Sequence, residues 1–243
     1  MRTVVSLLVA TLALATPVAA ETTSVVVRVL SQDGKFVGDH TGGARITLTD
    51  ARTGKVLSRG VTSGGTGSTE RIMDAAGRSR TIADDDAAAF RADLDIDEPT
   101  LVDLDVEGPL ARPGSAIHVR SQRWIVPGEA IATGNGWMVE LPGLAITPQS
   151  ERKGDALTVT AKVELMCGCP ITPGGRWDAS DYSVKAMLLS GRRRLSVTPL
   201  TFKAAPGTYA GTVTMPNVRD VRLVVYAVNS KTGNSGLVET RVR

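Results

Sequence analysis

Met166-Cys167-Gly168-Cys169-Pro170 is the segment whose residue types and spacing most plainly point to chemistry. Two thiols one glycine apart can bond to each other, exchange with a partner thiol, or hold a soft metal ion. The segment extends a run that alternates with period two. Leu157, Val159, Ala161, Val163 and Leu165 share one face, and Thr158, Thr160, Lys162 and Glu164 share the other. If the pattern continued, Cys167 and Cys169 would face one side and Met166 the opposite side. Pro170 lacks a backbone donor and biases Cys169 away from helix, so the strand is expected to end there.

Three uses of the pair follow from the residues, and the sequence leaves all three open. The first is a local disulfide, since the chain has 2 Cys and no alternative partner for either. Fully extended residues two apart place their Cα atoms near or beyond the roughly 6.8 Å limit for bridging, so the segment must bend, and Gly168 permits the bend. The second is thiol–disulfide exchange, which needs an accessible thiolate of lowered pKa. No neighbouring cation in the sequence supplies one, and Glu164 would work against it. The third is a soft-metal site, in which Cys167, Cys169 and the Met166 thioether would suit Cu(I) if Met166 rotated inward. Zinc would demand four ligands and hence His40 or His118 from far upstream.

Other constellations have plainer readings. Gly64-Gly65-Thr66-Gly67-Ser68 lacks the Lys-Ser/Thr that closes a phosphate loop and reads as a mobile loop. Asp93-Leu94-Asp95-Ile96-Asp97-Glu98 clusters carboxylates, but the alternating Leu94 and Ile96 read as a strand with acids on its solvated face. Arg192-Arg193-Arg194 reads as a solvated turn. Trp124 and Trp137 are expected in a buried role, although an exposed Trp pair could bind sugars or peptides. His40 and His118 read as ordinary polar residues, and no nucleophile-elbow sequence accompanies them. Paired carboxylates for glycoside cleavage cannot be judged from spacing, yet three each of Phe, Tyr and Trp do not suggest an aromatic-rich sugar cleft. No catalytic residue and no cofactor site is assigned, and an enzyme is not expected.

The elements that position these residues are strands. Val25, Val27 and Val29 alternate, as do Ile46 and Leu48, and Asp50 to Lys55 is turn chemistry leading to a hairpin partner. This opening, over about residues 23–108, resembles the transthyretin-like or carboxypeptidase-regulatory-like β-sandwich modules of exported bacterial proteins, which implies a non-catalytic module. A short helix is expected over Asp84 to Phe90, with Asp84 as cap and three alanines favouring it. Thr147 to Asp155 is polar and breaker-rich and is taken as the boundary between two units. Tyr182 to Leu188, Leu195 to Val197, Val221 to Val228 and Leu237 to Val242 complete about seven strands in the second unit. Pro206-Gly207-Thr208-Tyr209 resembles the corner tyrosine of immunoglobulin-like sandwiches, without their inter-sheet disulfide.

The expected architecture is therefore all-β: an export signal over 1–20, a transthyretin-like sandwich with a Gly/Pro-rich extension over 21–147, and an immunoglobulin-like sandwich over 148–243. Arg2, the uncharged run from Val4 to Ala15 and the small residues ending at Ala20 form the signal pattern. No later run is long and apolar enough to span a bilayer, which points to a periplasmic or secreted protein. A net charge of +3 spread along 243 residues gives no nucleic-acid footprint. Function on these grounds is that of an exported binding or accessory protein acting on a soft metal or a partner thiol. The alternatives are a structural or adhesion-type sandwich with a merely local disulfide, and a dithiol redox protein.

Overall fold

A computed structural model describes residues 22–74, 76 and 80–242. The stretch read as an export signal lies outside the described residues. The first seven strands are β1 (Thr23–Ser31), β2 (Arg45–Asp50), β3 (Val56–Val61), β4 (Phe90–Leu94), β5 (Thr100–Gly108), β6 (Ile117–Ile125) and β7 (Trp137–Leu141). They form a three-stranded sheet, β4-β1-β7, and a four-stranded sheet, β3-β2-β5-β6. β1 runs antiparallel to β4 and parallel to β7. Val25, Val27 and Val29 meet Ile46, Leu48, Val102, Leu104 and Val106 in a shared core, as period-two alternation on facing sheets requires. Leu94 and Ile96 join that core, leaving Asp95 and Asp97 exposed.

The other face of the three-stranded sheet is covered by the long excursion between β3 and β4. That excursion contains the short helix α1 (Thr69–Met73), which Ser68 caps by accepting from the Arg71 N–H. Its alanines do not form the expected helix. Ala87 and Ala89 make isolated bridges to Gly65 and Ser63, and Ala87 and Ala88 pack under Phe36. A Cβ on Gly38 would lie 2.6 Å from the Ala88 Cβ. Small side chains are thus required here by close backbone approach, which overrides helix propensity. The same bridges fix the glycine-rich segment that the sequence reads as a mobile loop.

The second group of strands is β8 (Leu144–Lys153), β9 (Ala156–Leu165), β10 (Tyr182–Ser190), β11 (Arg193–Phe202), β12 (Thr208–Thr214), β13 (Val221–Asn229) and β14 (Ser235–Arg241). Their order is β14-β13-β10-β11-β12-β9-β8, with β11 passing from β10 to β12 at its C-terminal end. Folded on itself through β11, this is an immunoglobulin-like β-sandwich. Its core gathers Leu157, Val159, Ala161 and Val163 against Val184, Ala186, Leu188, Leu223 and Val225. The polar segment 147–155, taken as the boundary between units, is the outer half of β8 and its turn into β9. Pro148 is accommodated because β8 is an edge strand. No helix among the described residues is long and apolar enough to cross a membrane.

Candidate functional site: a buried cysteine bridge at the junction

β9 delivers Leu165 into the second core, and the chain then turns. The Gly168 N–H donates to the Leu165 carbonyl at 2.8 Å, and Glu164 bridges to Pro170. Gly168 takes φ +78°, which L side chains adopt at a cost. This bend, rather than continued extension, brings the Cα atoms of Cys167 and Cys169 to 5.5 Å, and their sulfurs are joined as a disulfide. Cys167 is 0% and Cys169 5% exposed, both within the second core.

Met166 points the other way. Its side chain, 1% exposed, belongs to the first core together with Ala145 and packs over Gly143. The three sulfur residues therefore divide between two hydrophobic clusters. His40 does approach the segment: a Cβ on Gly168 would lie 2.9 Å from its Nε2. His118 is elsewhere, on the outer face of β6, with Nδ1 3.2 Å from Asp105. Among the described residues no group of three or more His, Cys, Asp or Glu side chains could hold a metal ion.

What surrounds the bridge is the turn that ends β1. The Lys35 N–H donates to Cys167 Sγ at 3.4 Å, and a Cβ on Gly34 would stand 3.0 Å from the same sulfur. The Trp177 indole N–H donates to the Asp33 carbonyl at 2.6 Å. Thr232 donates to the Asp33 carboxylate, and Asn234 Nδ2 donates to the Gln32 carbonyl at 3.3 Å. Asn234 Oδ1 in turn accepts from the Gly143 N–H at 2.7 Å. Residues 32–35 are thus gripped by the cysteine loop on one side and the β13–β14 turn on the other. Gln32-Asp33-Gly34-Lys35 is a turn signal in the sequence, and Asp33 takes φ +59° there. Nothing in the sequence says that this turn and Trp177 would meet the cysteines.

Beside the bridge, Glu164 is 4% exposed and is held by Arg112 at 3.2 Å and Lys162 at 2.7 Å. Deeper in the second core, burial pushes the Tyr209 hydroxyl up to about 12, with Tyr182 and Asp178 adding to the effect. Tyr209 stands on β12, its hydroxyl 3.5 Å from the Ala179 carbonyl. The buried role expected of the two tryptophans holds for Trp137 but not for Trp124, which is 64% exposed.

No protein-family model matches the chain, and no curated protein matches it. Among solved structures, a DUF3823 family protein from Bacteroides ovatus has 10% identity and a TM-score of 0.34, covering 91% of this chain and 98% of its own. The chicken interferon gamma receptor alpha chain has 10% identity and a TM-score of 0.34, covering 92% and 98%. At these values neither likeness carries a functional argument.

Proposed function

We propose that this is an exported, non-catalytic accessory protein built of two β-sandwiches, in which the Cys167–Cys169 bridge fixes the junction between them. The observation that carries this reading is the burial of the bridge under the Gln32–Lys35 turn. A disulfide that exchanges with partners needs an attackable sulfur, and this one is enclosed by apolar packing and by the Lys35 backbone. A disulfide also belongs to an oxidising compartment, which supports export to the periplasm or beyond. The transthyretin-like assignment of the first sandwich belongs to the same proposal, since seven strands in sheets of three and four suit it.

The test is urea unfolding of the native protein and of the Cys167→Ser/Cys169→Ser variant, read by fluorescence and by far-UV signal. Closing so short a loop is worth about 1–2 kcal/mol. A loss of that size, with an unchanged folded spectrum, supports the reading. An unchanged midpoint would remove the bridge from it.

A second reading keeps the pair as a soft-metal or partner-thiol site, and the observation in its favour is His40 against Gly168. The residues do not suit a metal as they stand, because the two sulfurs are bonded to each other and Met166 is directed into the other core. It therefore requires reduction first. Metal analysis of anaerobically reduced protein, before and after addition of Cu(I), decides it: stoichiometric copper lost in His40→Ala supports it, and metal-free protein overturns it.

A further inference from the structure

Far from the cysteines, the outer face of the β3-β2-β5-β6 sheet carries an ordered row of planar polar side chains. His118, Arg120, Gln122 and Trp124 alternate outward along β6, and Asp103 and Asp105 face them from β5 in the register Asp103↔Gln122 and Asp105↔Arg120. His118, Arg120 and Gln122 line an open groove of about 760 Å³, and Trp124, two residues further along β6, lines a separate one of about 310 Å³ with Leu101 and Arg52. Trp124 is the most exposed large apolar side chain among the described residues.

Hydrogen bonds to the two aspartates orient His118, Arg120 and Gln122 on this face. Asp105 accepts from Arg120 Nε at 2.9 Å and contacts His118 Nδ1 at 3.2 Å, while Asp103 accepts from Gln122 Nε2. Burial pushes the Asp105 carboxyl up, but hydrogen bonds and charge from Arg120 and His118 outweigh it and hold the group below its ordinary value. The pairs leave the terminal guanidinium nitrogens of Arg120, Nε2 of His118 and the side-chain oxygen of Gln122 free to meet a ligand. Asp105 pairs with Arg120, while Asp103 faces the neutral Gln122 and Arg59 lines the same groove, so the face offers donors and acceptors of both signs.

We propose that this sheet face, from His118 to Trp124, binds a neutral polyhydroxylated ligand, a short oligosaccharide. Hydroxyl groups both donate and accept, which matches the alternation along β6 and β5. The apolar C–H face of a sugar ring matches an exposed indole, which presents apolar area and a negative π-face. A single aromatic platform at the end of an open polar row suits recognition without cleavage, so the scarcity of aromatics in the chain is no obstacle.

The test is intrinsic tryptophan fluorescence and isothermal titration with cellohexaose, maltohexaose, xylohexaose and chitohexaose, on the whole protein. Saturable binding of at least one of them is expected, with a change in emission. It should weaken about tenfold or more in Trp124→Ala, as for truncation of an aromatic anchor. Gln122→Ala should weaken it by a smaller factor, and Arg192→Ala, on a distant turn, should leave it unchanged. Trp124 is exposed, so its removal should not disturb folding, and the unfolding midpoint of the variant verifies this. No binding of any of the four at millimolar concentration would overturn the proposal, as would binding that survives Trp124→Ala. Self-association of the protein that Trp124→Ala abolishes, without sugar binding, would also overturn it and assign the face to a second copy of the chain.

Discussion

Trp177 reaches across the junction to donate its indole N–H to the Asp33 carbonyl at 2.6 Å, tying the loop after the cysteine pair to the turn that ends β1. The bond is one of a set, with Lys35 to Cys167, Thr232 to Asp33 and Asn234 to Gln32, that joins the two sandwiches around the bridge. Two cores that share such contacts should unfold together rather than separately.

Trp177→Phe keeps most of the ring and removes the donor, leaving the Asp33 carbonyl without this partner. The expected cost is about 1–3 kcal/mol. In urea unfolding followed by both fluorescence and far-UV signal, the native protein should give one coincident transition, and the variant a lower midpoint. An unchanged midpoint would mean that the indole contributes no net stability at the junction.

Gly168 holds a left-handed backbone conformation with His40 packed against it. Gly168→Ala should destabilise by about 1–2 kcal/mol from the backbone alone, and by more where the new methyl meets the imidazole. In a His40→Ala background the imidazole part should vanish, while the backbone part and the contact with Thr41 Cγ2, 2.9 Å from the new methyl, remain. Thermal unfolding of the four proteins in that cycle separates the two, and full recovery in the double variant would contradict the backbone argument.

Tyr209 gives a pH dependence with a definite sign. Its folded pKa, raised mainly by burial to about 12, exceeds the ordinary value of 10.0. The folded state therefore holds the proton more tightly. The associated stability is complete below pH 10 and is lost as pH rises toward 12, amounting to about 3 kcal/mol. Tyr182 shifts in the same direction, chiefly from burial, and adds to the alkaline loss. Unfolding midpoints between pH 8 and 12 should fall less steeply in Tyr209→Phe, and identical slopes would refute the assignment.

Much of this architecture was legible because it rests on local alternation. The apolar faces of β1, β2, β5, β9, β10 and β13 follow directly from period-two patterning, and two sandwiches follow from the number and spacing of strands. The helix expected at Asp84 to Phe90 failed because propensity there yields to packing: Ala88 lies where the backbone of Gly38 and Gly64 passes too close for a larger side chain. The polar stretch after Thr147 carries no strand signal because an edge strand shows little apolar alternation on its outer half. At the candidate site, the opposed directions of Met166 and the cysteines were readable from alternation, and the bend at Gly168 from the geometry a bridge requires. The cover provided by Asp33, Gly34 and Trp177 was not, because more than a hundred residues separate the turn from the loop.

The most direct test of the central claim is a count of reactive thiols in protein purified from the exported fraction without reductant, native and denatured, before and after incubation in a glutathione buffer. A buried structural bridge predicts no free thiol in the native protein before or after that buffer, and two only after denaturation with strong reductant. Two thiols that titrate in the folded state, or that appear on exposure to glutathione alone, would contradict it and assign the pair to exchange or metal chemistry.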